Sequence, residues 1–295
     1  MRYHPPALIS RIRSGEQSDG LRTAGQARAR DGGSLGIGKA IALELAREGV
    51  DVAIVARSKE QLEATARELE AKTGPARHPA GGRRDQQGAG RSCGRPGRGA
   101  ARRLHILVNS GSPPGGSASA TGPIEGVIDE DLLHDFNVKY VGALRCARAA
   151  IPYLKQQGWG RIINISGTNA RNAGNLSGGA RNTSLVHLTK TLAVQLGRHG
   201  ITVNCIHPGT TLTERTPRLL AARAAELGIS ADEVEKRDFA ADSPRGNAIS
   251  AAWSTRSEIA YLTVFLASDR AWAVSGELVV ATGGAGRPCT TSPGG

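Results

Sequence analysis

Aromatic residues are scarce: three Phe, three Trp and four Tyr in 295 residues, with a single Met. The four cysteines, Cys93, Cys146, Cys205 and Cys289, stand far apart without CxxC or Cys/His spacing. That pattern indicates neither a disulfide framework nor a zinc or other metal site, and it suits a reducing compartment such as the cytoplasm. No apolar run approaches the ~18 residues of a membrane span, so no membrane-crossing segment is expected. Acidic residues are also in deficit, 26 against 38 Lys and Arg, for a formal net charge of +12.

That charge is concentrated. Residues 1–30 hold six Arg against Glu16 and Asp19, and residues 75–103 hold eight Arg against Asp85 alone. A nucleic-acid groove interleaves basic residues with aromatics on which bases stack. Two Gly/Pro/Arg-rich stretches nearly without aromatics offer no such surface, so a nucleic-acid partner is not expected. The same stretches also lack large apolar residues: no Val, Ile, Leu, Met, Phe, Tyr or Trp occurs between Glu70 and Arg103, or between Arg22 and Ser34. Two readings stay open. One is a low-order N-terminus over 1–31 with an aberrant insertion at 75–103; the other is text from a GC-rich gene read out of frame.

From Leu35 the signals become regular. Ile37, Ile41 and Leu45 recur at helical spacing, and Gly49 closes that helix. Residues 50–55 (VDVAIV) form a short β-branched run, as in a strand buried on both faces. Ser58 with Gln61 starts the next helix, to about Lys72. Strands follow at Leu104 to Asn109, Arg161 to Ser166, Ile201 to His207 and Gly276 to Ala281. Helices are predicted over Asp129 to Gln157, about Ser177 to His199, twice between Thr210 and Ser254, and over Ser257 to Ser268. Alternating strands and helices define a single-domain α/β fold with a doubly wound, mostly parallel, Rossmann-like sheet over 32–286, followed by a tail at 287–295.

Residues 32–38 (GGSLGIG) place Gly32, Gly36 and Gly38 just before a helix. Glycines let the backbone turn sharply and approach a pyrophosphate, whose charge the helix amides then meet. Together with Leu107 to Gly111 (LVNSG), and with Pro208 and Gly209 followed by Thr213, this loop resembles the short-chain dehydrogenase/reductase family. The resemblance implies a nicotinamide dinucleotide bound by Gly32, Ser34, Leu35, Gly36, Ile37, Gly38, Asn109, Ser110, Gly111, Pro208, Gly209, Thr211 and Thr213. It also implies an alcohol or carbonyl substrate and a homo-oligomer, a tetramer or dimer. At the end of the second strand Ala56 and Arg57 stand where an NAD site commonly has a carboxylate. A guanidinium suits a 2′-phosphate, so NADP(H) is favoured over NAD(H).

One family feature is missing. Tyr and Lys one helical turn apart would put a phenol and the cation that activates it on one face. Four residues after Tyr3, Tyr140, Tyr153 and Tyr261 come Ala7, Leu144, Gln157 and Phe265. Counting back from Leu188 to Ala193 puts Gly178 at the tyrosine position and Asn182 at the lysine position, and a shift of one gives Gly179 and Thr183, which restores neither. The resemblance leaves Asn137 and Ser166 as the expected catalytic residues, Asn137 as the organiser of the proton relay and Ser166 as the substrate hydroxyl, the alternative being Gly167 at that position with Thr168 as the hydroxyl. His207 and Arg181 are candidate replacement acid or electrostatic groups. The function expected is an NAD(P)-dependent oxidoreductase with a divergent active site, the alternative a catalytically silent dinucleotide-binding protein.

Overall fold

The computed structural model describes residues 7–12, 27–30, 33–56, 58–74, 104–112, 115–240 and 253–284. Seven strands make one sheet: β1 Ala7–Ile12, β2 Ala27–Arg30, β3 Val50–Ala53, β4 Ile106–Asn109, β5 Gly160–Ile165, β6 Ile201–Pro208 and β7 Leu278–Ala281. Their order is β3-β1-β2-β4-β5-β6-β7. From β2 to β7 all pairs are parallel, whereas β1 runs antiparallel to both β2 and β3. The stretch in which composition shows no readable strand thus supplies β2, directly ahead of the glycine loop. Backbone pairing with flanking strands overrides weak local propensity. The insertion at 75–103 and the tail at 287–295 lie outside the described residues.

Side-chain alternation sorts the core into two layers. Ile106, Val108, Ile163, Ile165 and Ile206 face α1 (Gly36–Arg47), α2 (Lys59–Thr73) and α8 (Arg256–Ala267). Leu107, Ile162, Ile201 and Val203 face α4 (Gly142–Gln157) and α5 (Leu176–Leu196). Both faces of the central strands are therefore covered, as a parallel sheet requires. Ser58 accepts from the Gln61 amide as the N-cap of α2, and Thr255 and Glu258 form a complete capping box on α8.

A buried cation interrupts the apolar pattern of β5. Arg161 in β5 is fully buried, bonded to the Ser268 carbonyl and paired with Asp269. Its guanidinium lies 4.1 Å from the centre of the Trp159 ring and 5.4 Å from that of Trp272. This ties the end of α8 to the sheet at the edge opposite the strand ends that carry the site.

Candidate active site

The C-terminal ends of the parallel strands converge at the glycine loop, where open α/β sheets bind ligands. Gly36 opens α1 with φ +58°, a conformation that favours glycine. No side chain caps the helix at Leu35. Instead the Gly36 amide donates to Oε2 of Glu214, 2.9 Å away, and Arg256 at the start of α8 pairs with the other carboxylate oxygen. Burial of this carboxyl opposes ionisation, but the amide bonds and Arg256 outweigh it and hold its pKa below the ordinary value. An anion therefore already sits at the N-terminus of α1, as expected of a phosphate cradle.

Several residues expected at the cofactor are brought together here. Ser34 is buried and its carbonyl accepts from Thr65 of α2, which fixes the loop ahead of Leu35, Gly36, Ile37 and Gly38. Thr213 comes down on the loop, its methyl 3.5 Å from where a Cβ on Gly36 would stand. Pro208 ends β6, and a Cβ on Gly209 would lie 2.9 Å from the Thr282 Cα, so glycine permits that crossing. Thr211 bonds the Gly209 carbonyl. Asn109 ends β4 with its amide on Asn164, whose own amide reaches Thr189 of α5; Ser110 and Gly111 follow, partly exposed. Gly32 and Arg57 lie outside the described residues.

The expected catalytic pair is not brought together. Between α3 (Asp129–Phe136) and α4 the helix widens into a π-turn, Asn137–Val141. Such a turn changes the helical phase and often marks a functional position. Asn137 faces outward, its amide oxygen accepting from Arg145 at 3.0 Å. Lys139, two residues on, is the side chain that reaches the strand ends: its Nζ donates to the Ser166 carbonyl at 3.0 Å. Ser166 in turn donates from Oγ to the Asn182 carbonyl at 3.0 Å. Ser166 thus lies between the π-turn and α5, and the π-turn side chain bonded to it is Lys139, while Asn137 is bonded to Arg145. The signal available in the sequence was a lone cation inside the apolar run Val138 to Val141.

Around Lys139 lies a buried polar cluster. Asp135 accepts from the Ser117 amide and hydroxyl and from Ser177, and faces Arg181 at 3.5 Å. Arg181 is 4% exposed, with Nε and Nη1 without hydrogen-bond partners, and His207 is fully buried with neither ring nitrogen bonded. Burial, then the charges of Lys139 and Arg171, push His207 down to about 4. Burial, then Arg181, push Lys139 down to about 7. Gly178 is packed closed: a Cβ there would meet Asn169 Nδ2 at 2.5 Å and Asn175 Oδ1 at 2.7 Å, and Asn175 is the N-cap of α5. Among the described residues no His, Cys, Asp and Glu group is arranged to hold a metal ion, and no helix is long and apolar enough to cross a membrane.

A Rossmann-like sheet with a glycine-loop anion cradle at α1 and a polar cluster beneath the strand ends defines a dinucleotide-binding oxidoreductase scaffold. The chain belongs to the short-chain dehydrogenase/reductase family: the family described as enoyl-(acyl carrier protein) reductase matches residues 32–286. It is 31% identical to the NADPH-dependent reductase BacG of Bacillus subtilis, over 86% of this chain and 95% of that one. It is also 31% identical to the short-chain reductase protein NovJ of Streptomyces niveus, over 86% and 91%. Among solved structures, YwfH, an NADPH-dependent reductase involved in bacilysin biosynthesis, superposes with a TM-score of 0.72 at 26% identity, covering 89% of this chain and 98% of that one. The NADPH complex of an actinorhodin polyketide ketoreductase variant gives 0.72 at 25%, covering 89% and 97%.

Proposed function

We propose that this chain reduces a small carbonyl compound with NADPH, or runs the reverse oxidation, using an active site built without the family's tyrosine and lysine. The observation that carries the reading is the anion held by the Gly36 amide, with Thr213 folded over the same loop. When bound, the cofactor supplies a hydride at the strand ends. The chain's own residues do the rest: the α1 amides and Arg256 take the pyrophosphate charge, Gly209 and Thr211 shape the floor, and Ser166 with its neighbours meets the substrate. Cys146 and Cys205, both buried, are thiols and not half-cystines, which suits a reducing compartment. A second copy of the chain would cover the apolar groove on the outer faces of α4 and α5, lined by Tyr140, Leu144, Ile151, His187 and Leu192.

Two binding measurements test the cofactor site. Arg57→Ala is expected to weaken NADPH binding by roughly 1.5 to 3 kcal/mol, the worth of a hydrogen bond to a charged group, and NADH binding little. Fluorescence titration of both cofactors separates this from an equal loss, which would leave Arg57 a loop support only. Glu214→Gln is expected to tighten NADPH by about 0.3 to 1 kcal/mol, roughly two- to fivefold, because the carboxylate and a phosphate compete for one helix terminus. Unchanged or weaker binding would mean that Glu214 remains in place beside the cofactor.

The second reading, a dinucleotide-binding protein without turnover, is favoured by the packing at Gly178. Stereospecific loss of tritium from the C4 position of labelled NADPH, in the presence of a mixed set of ketones, separates the two readings.

A further inference from the structure

We propose that Lys139 is the catalytic acid of this chain, an ammonium carried to the strand ends by the π-turn in place of the family's phenol and α5 lysine. The inference rests on the reading of the chain as an NADPH-dependent carbonyl reductase.

The geometry is specific. Lys139 is 6% exposed and its Nζ has one hydrogen-bond acceptor among the described residues, the Ser166 carbonyl, although an ammonium has three hydrogens to give. The carboxylate of this cluster, Asp135, is taken up by Ser117, Ser177 and Arg181. A purely structural residue at this place would be apolar or an amide, since a buried ammonium with one acceptor and an arginine nearby is costly. The π-turn is what brings Lys139 in, because an uninterrupted helix would present a different residue to Ser166. Through Ser166, Lys139 is joined to Asn182, the position where the family's lysine is missing.

The chemistry balances. Hydride from NADPH forms a C–H bond at the carbonyl carbon, and the C=O π pair moves to oxygen. That oxygen takes a proton from Nζ, the N–H bond breaks, and the products are an alcohol, NADP⁺ and a neutral amine. Solvent returns the proton to the amine. The groups facing Nζ are Arg181 from α5, Cys205 and His207 from β6, and Asp135 behind Arg181. Burial raises the Cys205 thiol to about 11 and lowers His207 to about 4, so both are neutral at pH 7. Lys139, at about 7, is then the group in this cluster that exchanges a proton near neutrality, where a general acid works best.

The experiment compares wild type with Lys139→Met and Lys139→Arg in the full chain. Three readouts are taken: NADPH affinity by fluorescence, NADPH consumption with 2,3-butanedione, and titration of 13Cε-labelled lysines by NMR. One lysine is expected to titrate near pH 7 in wild type and to vanish in both variants. NADPH affinity should stay within about twofold, and turnover should fall by about 10² to 10⁴ in both, because arginine keeps the charge but holds its proton. Turnover retained in Lys139→Met overturns the proposal. So does a spectrum in which every lysine titrates above pH 9, or a wild type that binds NADPH and leaves the diketone unreduced. Failure of wild type to bind NADPH overturns the reductase reading instead, and the lysine titration still judges Lys139.

Discussion

Replacing Gly178 with tyrosine, alone or with Asn182→Lys, is expected to destabilise the protein and not to install the family's catalytic pair. A Cβ at position 178 would already lie inside contact distance of Asn169 Nδ2 and of Asn175 Oδ1 and Cγ, and a phenol adds bulk beyond it. Asn175 accepts from the Gly178 amide at 2.5 Å, so pushing it aside also uncaps α5. Overpacking costs about 1 to 3 kcal/mol and a lost N-cap about 1 kcal/mol more. For a domain of this size that lowers Tm by on the order of 10 °C. Gly179→Ala is the control, since a Cβ there would meet only the Asn169 carbonyl at an ordinary 3.5 Å. Equal melting of the Gly178→Tyr variant and wild type would show that Asn169 and Asn175 move aside freely.

Stability is expected to rise as pH increases above 7, and Lys139→Met should abolish most of that rise. The folded chain holds Lys139 at about 7, against an ordinary value of 10.5 in the unfolded chain. Between these limits the unfolded state binds the extra proton, so raising the pH favours the folded state by up to about 1.4 kcal/mol per unit. Below pH 7 the penalty for burying the charge is fully present, and there the methionine variant should be the more stable by a few kcal/mol. His207 adds a slope of the same sign between about 4 and 6.5. Cys205, raised to about 11 from 9, opposes the trend above pH 9. Urea unfolding at pH 6.0, 7.5 and 8.5 isolates the lysine, and a slope that survives in Lys139→Met would assign it elsewhere. An active-site group that costs stability is a familiar trade against function.

The parts of this molecule legible in its sequence are those set by local pattern. The β-branched runs of β4 to β6, the capping serine at 58, and the glycines before α1 each carry their own physical reason within a few residues. Thr213 could be linked to the glycine loop only through the family resemblance, and the structure brings it to Gly36. What could not be read depends on distant partners. Arg161 sits in a strand with three isoleucines because Trp159, Trp272 and Asp269 meet around it. Nothing local in the sequence marks Glu214, whose partners Gly36 and Arg256 lie far along the chain on either side. Asn137 is named through the family resemblance alone; in the structure its side chain meets Arg145, and the side chain that reaches Ser166 from the π-turn is that of Lys139.

The antiparallel β1 stands between β2 and β3 in the sheet order, so the strand that leads into the glycine loop and the strand after α1 are each hydrogen-bonded to β1 and not to one another. Because β1 is the partner shared by both, losing its pairing would strip a neighbour from β2 and β3 at once and loosen the glycine loop from two sides.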